Sequence, residues 1–257
     1  MVVNVYVEGG IINGNVDATT NNNSEALREE LNRFMQRALN RNDISIVVKK
    51  CSGYKEAAKQ FINTTDKEEN YLYVDLDRKP EMRDEWFKSL SDDGIVMSQD
   101  KADHVSFWIQ EMEAWFLKQP EAIELWAEDE SLIRKPGQDT PLSEHPSIKN
   151  KDIERLQQKA SFLMGVILRQ VFAPQDKGKK SASGKVRSLK YGKLRHAPGI
   201  IAHLNPTDLI SKDHELKAFC KKVQEAKPLL VLLLGPSCRT LSIHDPLRSS
   251  LWDSSGQ

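Results

Sequence analysis

The sequence predicts an α/β fold with a mostly parallel sheet flanked by helices. Four short runs rich in β-branched and aromatic residues alternate with helix-length segments through the first half of the chain. This alternation is typical of a parallel sheet, because each helix carries the chain back to the start of the next strand. After about residue 120 strand-like runs are nearly missing, so we expect a mainly helical C-terminal part. The predicted division is a sheet-containing domain over 1–118, a helical part over 119–227 and a tail of unknown role over 228–257.

The predicted strands are short and hydrophobic, and they cover Val2–Val7, Ile44–Val48, Tyr71–Asp75 and His104–Ile109. The first helix is expected after an Asn-rich loop, with Ser24 as its N-terminal cap and an apolar stripe from Ala26 to Ala38. Further helical patterns are predicted over 53–62, 81–90, 111–117, 123–127, 153–160, 161–172, 194–203 and 215–223. A polar loop is expected at 134–150. A Gly-, Ser- and Lys-rich loop is expected at 176–193.

Charge and composition exclude several classes of protein. The 257 residues contain 37 Lys and Arg against 37 Asp and Glu, so net charge gives no preference for nucleic acid or membrane. Three cysteines without CxxC spacing argue against a disulfide framework or a structural zinc site. The N-terminus lacks the pattern of a signal peptide, and no apolar run approaches the length of a membrane span. We therefore expect a soluble cytoplasmic protein that has no membrane partner.

Acidic residues follow three of the predicted strands. Glu8 follows the first strand, Asp75 and Asp77 end the third, and Glu113 follows the fourth, with Glu111 beside it. The carboxyl ends of parallel strands are where α/β folds bind ligands. Carboxylate oxygens are the protein ligands that Mg²⁺ takes, leaving its other positions to water and phosphate. The sequence thus predicts a Mg²⁺ or Mn²⁺ site at this edge of the sheet.

A purely structural interpretation of these acids stays open. Acidic residues after strands are common as helix caps and turn formers, and Asp75-Leu76-Asp77-Arg78 alone would suit a turn. Glu111 is the doubtful member, because a helix that begins there would favour a negative charge in its first turn.

Three motifs in order carry a resemblance to a known family. They are Val5–Gly10 (VYVEGG), Val74–Asp77 (VDLD) and Met112–Trp115 (MEAW), followed by Tyr191-Gly192-Lys193 and Asn205-Pro206. The chain resembles the Rossmann-like TOPRIM fold of topoisomerases, primases and OLD-family nucleases, and more closely a TOPRIM-like bacterial family with these motifs. It departs from the family in a longer Asn-rich loop at 13–23 and in Leu194, which stands where a glycine is expected.

The resemblance implies a metal-dependent nuclease. On that basis Glu8, Asp75, Asp77 and Glu113 would bind one or two divalent metal ions, and Glu8 would also act as general acid or base. Lys193 would stabilise charge on the scissile phosphate. Such proteins are commonly encoded beside an ABC-type or OLD-type ATPase, which implies a partner ATPase in an anti-phage defence system.

A basic segment precedes and includes Lys193. Between Lys177 and Arg195 there are eight Lys or Arg residues and no Asp or Glu. Clustered positive charge in a Gly- and Ser-containing loop is the footprint expected for a phosphate backbone, although charge runs are also common in solvated linkers. The predicted nucleic-acid-binding residues are Lys179, Lys180, Lys185, Arg187, Lys190 and Arg195.

Two functions from different classes therefore remain. The first is a Mg²⁺-dependent nuclease that cuts DNA or RNA, including tRNA, as the effector of an anti-phage system. The second is a TOPRIM-fold regulatory or assembly subunit of an ATPase complex that does not cut, because fold alone does not imply function. The complete acidic set favours the enzyme.

Overall fold

A four-stranded, wholly parallel sheet forms the centre of the protein. The computed structural model describes residues 1–9, 18–65, 68–175 and 189–226. The sheet has the order β2-β1-β3-β4, and its strands are β1 (Val2–Glu8), β2 (Ser45–Cys51), β3 (Glu69–Asp75) and β4 (Val105–Trp108). The predicted α/β fold with a parallel sheet is confirmed, and the arrangement is of the Rossmann-like kind.

Ten α-helices lie in the described part of the chain. Five of them stand before residue 119: α1 (Ala18–Leu39), α2 (Tyr54–Ile62), α3 (Arg83–Asp92), α4 (Gln99–Ala102) and α5 (Ala114–Lys118). The other five follow it: α6 (Pro120–Asp129), α7 (Ala160–Val171), α8 (Lys193–His203), α9 (Pro206–Lys212) and α10 (His214–Glu225). No helix among these residues is both long enough and apolar enough to cross a bilayer.

The helices bury the two faces of the sheet in separate hydrophobic clusters. Alternate residues of β1 and β3 point to opposite faces, as the two-residue repeat of a strand requires. Val5 and Tyr73 join a large cluster with α1 and with α5 to α10, whereas Tyr6 and Val74 join a smaller one with α2 and α3. The large cluster takes residues from both sides of position 118, so the helices after that position complete the core over the sheet.

Two local predictions were wrong, and one pair of strands was not predicted. Ser24 is not a cap, because α1 already begins at Ala18. The helix expected over 153–160 is only a 3-10 turn at Ile153–Arg155. Its neighbouring backbone groups bond to side chains instead: the Leu156 carbonyl accepts from Gln110 Nε2 at 2.7 Å. A short antiparallel pair, β5 (Leu132–Arg134) with β6 (Phe172–Pro174), was missed because each strand has only three residues.

A buried ionic group, here called the α10 cluster, ties the start of α10 to the sheet. Asp213 caps α10 by accepting from Leu216 N at 2.8 Å, and its other oxygen accepts from Trp115 Nε1 at 3.0 Å and Lys118 Nζ at 2.7 Å. Glu215 accepts from Phe107 N on β4 at 3.1 Å. Its second oxygen accepts from Arg83 Nη1 at 2.7 Å. All four carboxylate oxygens of Asp213 and Glu215 therefore have donors.

The position of α8 depends on a close contact with α6. A side chain at Gly199 would have its Cβ only 2.6 Å from the Trp126 ring, a distance that no real Cβ tolerates. Pro198 also lies inside α8, where it cannot donate a backbone hydrogen bond to the preceding turn. Gly199 thus lets α8 lie directly on Trp126.

Candidate metal centre

Two of the predicted acids lie at the point where the strand order reverses. From β1 the chain goes to β2 on one side and then to β3 on the other, which opens a crevice at the carboxyl ends of β1 and β3. Glu8 is the last residue of β1, and Asp75 is the last residue of β3. Because β1 and β3 pair directly, the two acids meet: Asp75 N donates to Glu8 Oε1 at 2.8 Å.

Asp75 is the centre of the arrangement, which we call the switch-point cluster and which comprises Glu8, Asp75, Glu113 and Lys193. The Asp75 side chain is buried. Its Oδ1 accepts from Met112 N at 2.8 Å, which fixes the carboxylate to the segment between β4 and α5. Its Oδ2 accepts from Lys193 Nζ at 2.9 Å.

Glu113 supplies the third carboxylate of the switch-point cluster. It stands immediately before α5, and only 1% of its surface is exposed. Its Oε1 accepts from Tyr191 OH at 3.0 Å. Its Oε2 lies 3.7 Å from Lys193 Nζ and has no hydrogen-bond partner. A buried carboxylate oxygen without a donor is costly, so Glu113 presents an oxygen that is available to a cation.

The switch-point cluster has three carboxylates and one ammonium, and this imbalance together with burial shifts the pKa values of its members. Burial, reinforced by the charge of Asp75, raises the pKa of Glu8 to about 8. Burial also raises the pKa of Glu113, against the attraction of Lys193. For Lys193, burial alone would lower the pKa, but the charges of Asp75, Glu113 and Glu8 together raise it, so the ammonium stays charged.

The donor set fits a hard divalent cation in its chemistry and charge. Three carboxylates face one ammonium, and one of their buried oxygens lacks a donor. The arrangement is not a preformed metal cage, however. In the part of the chain that the structure describes, no group of three or more His, Cys, Asp or Glu side chains is arranged to hold a metal ion. The Lys193 ammonium lies instead between Asp75 and Glu113.

Asp77 and Glu111 lie in a second group beside the switch-point cluster. Lys159 Nζ donates to Asp77 Oδ1 at 2.7 Å and lies 3.3 Å from Glu111 Oε1. Glu111 Oε2 accepts from Ser161 N at the start of α7 at 2.9 Å. Asp77 has a φ of 57°, a backbone conformation that only a few per cent of non-glycine residues adopt. The structure thus brings Glu8, Asp75, Glu113 and Lys193 together, and it pairs Asp77 with Lys159.

Only part of the predicted basic surface can be placed. Lys190 and Arg195 are exposed, Arg195 in the first turn of α8. Lys179, Lys180, Lys185 and Arg187 lie outside the described residues, so nucleic-acid binding by the loop stays a prediction.

Sequence reasoning missed three residues that shape the site. Lys159 pairs with Asp77 and Glu111, and nothing in its sequence surroundings marks it. Tyr191 belongs to the Tyr191-Gly192-Lys193 motif, but the family resemblance implies no role for it. His196 is buried, and its Nδ1 accepts from Gly192 N at 2.9 Å, which fixes the residue before Lys193. Burial lowers the pKa of His196 to about 4, so this acceptor nitrogen stays unprotonated near neutral pH.

No model of a known protein family, no characterised protein and no solved structure matches this chain. The case for a function therefore depends on the residues themselves and on how the fold arranges them.

Proposed function

We propose that the protein is a nuclease that uses Mg²⁺ or Mn²⁺ to hydrolyse phosphodiester bonds in DNA or RNA, including tRNA. The observation that carries the proposal is the gathering of Glu8, Asp75 and Glu113 around Lys193 at the switch point of a parallel sheet. This crevice is the usual ligand site of an α/β fold. The ordered motifs of the TOPRIM-like resemblance point to the same residues.

Each member of the switch-point cluster has a role in this proposal. Glu8, Asp75 and Glu113 would hold the cation through carboxylate oxygens. A bound divalent cation polarises a phosphate and makes water a stronger acid. Lys193 would contact the phosphate, for which its side chain is suitably 32% exposed beside Asp75. Glu8 would also act as the general acid or base, which is the role that the TOPRIM-like resemblance implies for it.

Asp77 has a smaller part in the proposal than the family resemblance implies. Its side chain is 55% exposed and its carboxylate pairs with Lys159. That pairing leaves three acids as the proposed ligands and makes Asp77 a residue at the border of the site.

A second candidate is a regulatory or assembly subunit that does not cut. The observation that favours it is the ion pair between Lys193 and Asp75, with Glu113 close by. An internal ammonium already neutralises part of the acidic charge, so the same residues could stabilise the fold without a metal.

The partner and the setting come from the resemblance alone. We propose that the protein acts with an ABC-type or OLD-type ATPase as the effector of a bacterial anti-phage system, in the cytoplasm. The ATPase would either hold the nuclease in check or be required for its activity.

A cleavage assay on plasmid DNA and bulk tRNA tests the nuclease proposal. It compares Mg²⁺, Mn²⁺ and EDTA, with and without the partner ATPase. Glu8→Gln should reduce cleavage about 100-fold or more, in the range that loss of a catalytic proton-transfer group produces. Asp75→Asn should have an effect of similar size, because it removes a carboxylate that would hold the cation. Both substitutions keep the size of the side chain and remove its charge.

Glu69→Gln is the matched control. Glu69 begins β3, the strand that Asp75 ends, so the control removes one carboxylate at the opposite edge of the sheet. It should cut as the wild type does. Equal cleavage by the wild type, Glu8→Gln and Asp75→Asn would contradict the proposed site, and no cleavage with any metal and partner would favour the regulatory subunit.

A further inference from the structure

A groove of about 480 Å³ runs between α7 and the segment that leads into α8. Phe162, Val166 and Arg169 line one wall, and Leu189, Lys190 and Tyr191 line the other. Positions 162, 166 and 169 lie on one face of α7, because residues four and seven apart share a helix face. At Gly165 an added Cβ would lie 3.9 Å from Tyr191 Cβ, so the two walls approach closely there.

Phe162 is an aromatic side chain that the core does not use. It is 54% exposed, whereas the opposite face of α7 is buried through Leu163, Met164, Ile167 and Leu168. One exposed apolar residue needs no explanation by itself. Phe162 is distinctive because it lies in a groove whose charged lining residues are all basic.

The groove is lined by cations. Lys159, Arg169 and Lys190 contribute to it, and no Asp or Glu is found among its described lining residues. Lys159 pairs with Asp77 and Glu111. Among the described residues no carboxylate lies within ion-pair distance of Arg169 or Lys190. An exposed aromatic ring that shares a groove with two such cations is complementary to a single strand, because a base can stack on the ring while backbone phosphates pair with the cations.

The groove adjoins the switch-point cluster through Tyr191, and it adjoins the neighbouring group of Asp77 and Glu111 through Lys159. Tyr191 donates to Glu113 at 3.0 Å, and Lys159 reaches Asp77 at 2.7 Å. Ser161, the neighbour of Phe162, donates its backbone N–H to Glu111. A chain that lies in the groove would therefore continue toward the carboxylates.

We propose that this groove binds single-stranded nucleic acid, with a base stacked on Phe162 and phosphates beside Arg169 and Lys190. The link to cleavage rests on the proposed nuclease function, whereas the binding itself does not. A single strand fits the groove because its bases are free to stack on a side chain. In a duplex the faces of the bases are covered by the neighbouring base pairs, so a base could stack on Phe162 only if it left the helix.

Fluorescence anisotropy with a labelled single-stranded oligonucleotide in EDTA tests the proposal without any cleavage. Phe162→Ala should weaken binding about 10-fold, as loss of one stacked base does, and Phe162→Trp should bind as the wild type does. Arg169→Gln and Lys190→Gln should each reduce the slope of log K against log salt by about 0.7, the contribution of one phosphate contact on a single strand.

Leu125→Ala is the matched control, because Leu125 is also an exposed apolar residue on a helix, 47% exposed on α6. It should bind as the wild type does, and a blunt duplex should bind equally to the wild type and Phe162→Ala. Single-strand binding that is unchanged in Phe162→Ala would overturn the proposal even if the protein proves to be a nuclease. Phe162-dependent binding without cleavage at any metal concentration would support the groove and contradict the proposed function.

Discussion

Two buried ionic clusters of this protein differ in how completely their charges are satisfied. In the α10 cluster every carboxylate oxygen of Asp213 and Glu215 has a donor. In the switch-point cluster Glu113 Oε2 has none, and the pKa of Glu8 is raised by burial and by its acidic neighbour. Fully paired buried charges are expected of structural clusters, and perturbed, under-neutralised ones are expected of functional sites. We therefore propose a structural role for the first cluster and a chemical role for the second.

The first expected difference between the clusters is in the free energy of unfolding at a fixed pH near neutrality. Asp213→Asn removes one of the two carboxylate partners of the buried Lys118, which keeps Glu154, and it weakens the hydrogen bond from Trp115. We expect it to cost about 3 kcal/mol, the upper end of the range for buried groups left poorly satisfied. Glu113→Gln keeps the acceptor for Tyr191 and removes a poorly neutralised buried charge, so it should cost less than about 1 kcal/mol. Urea unfolding of both variants measures the difference, and equal losses would remove the distinction between the clusters.

A divalent cation should stabilise the protein through the switch-point cluster and not through the α10 cluster. A cation at 100 times its dissociation constant adds about 2.7 kcal/mol to the free energy of unfolding. Thermal unfolding with Mn²⁺ or with EDTA should show this increase for the wild type and for Asp213→Asn. Glu8→Gln and Asp75→Asn should show little of it. An increase that persists in Glu8→Gln would place the metal elsewhere.

A third expected difference concerns the pH dependence of stability without metal. Because the folded-state pKa of Glu8 is raised above its ordinary value of 4.5 to about 8, the folded state binds more protons than the unfolded state between these values. Stability from this group is therefore lost as the pH rises from about 4.5 to about 8, by at most about 1.4 kcal/mol per pH unit.

Glu8→Gln should remove that loss. In EDTA the stability of the variant relative to the wild type should grow between pH 5 and pH 8 and then level off. A stability difference that does not change with pH would mean that Glu8 is ionised normally and that the contrast between the clusters is overstated.

The sheet could be predicted from sequence because its strands are short hydrophobic runs with few alternatives. The same pattern placed Glu8 and Asp75 at strand ends, and the parallel order then made them neighbours. The partners of Asp77 and Glu113 could not be predicted. Lys159 lies 82 residues from Asp77, and Tyr191 lies 78 residues from Glu113. Such contacts depend on how α7 and the start of α8 pack on the sheet.

The prediction of a helix over 153–160 was wrong for a related reason. Its backbone bonds to side chains at the edge of the sheet, such as Gln110, and those competing partners are invisible in a local pattern. The asymmetry between the two ionic clusters is likewise a property of the folded chain, since both use the same residue types.

The contact between Gly199 and Trp126 links the packing of α8 on α6 to the position of Lys193. Lys193 is the first residue of α8, and Gly199 lies six residues along the same helix, against α6. A Cβ at position 199 would lie 2.6 Å from the indole ring, so either the ring or α8 would have to shift, and a shift of α8 would move the Lys193 ammonium relative to Asp75. The position of Lys193 therefore depends on the absence of a side chain at residue 199, more than one helical turn away.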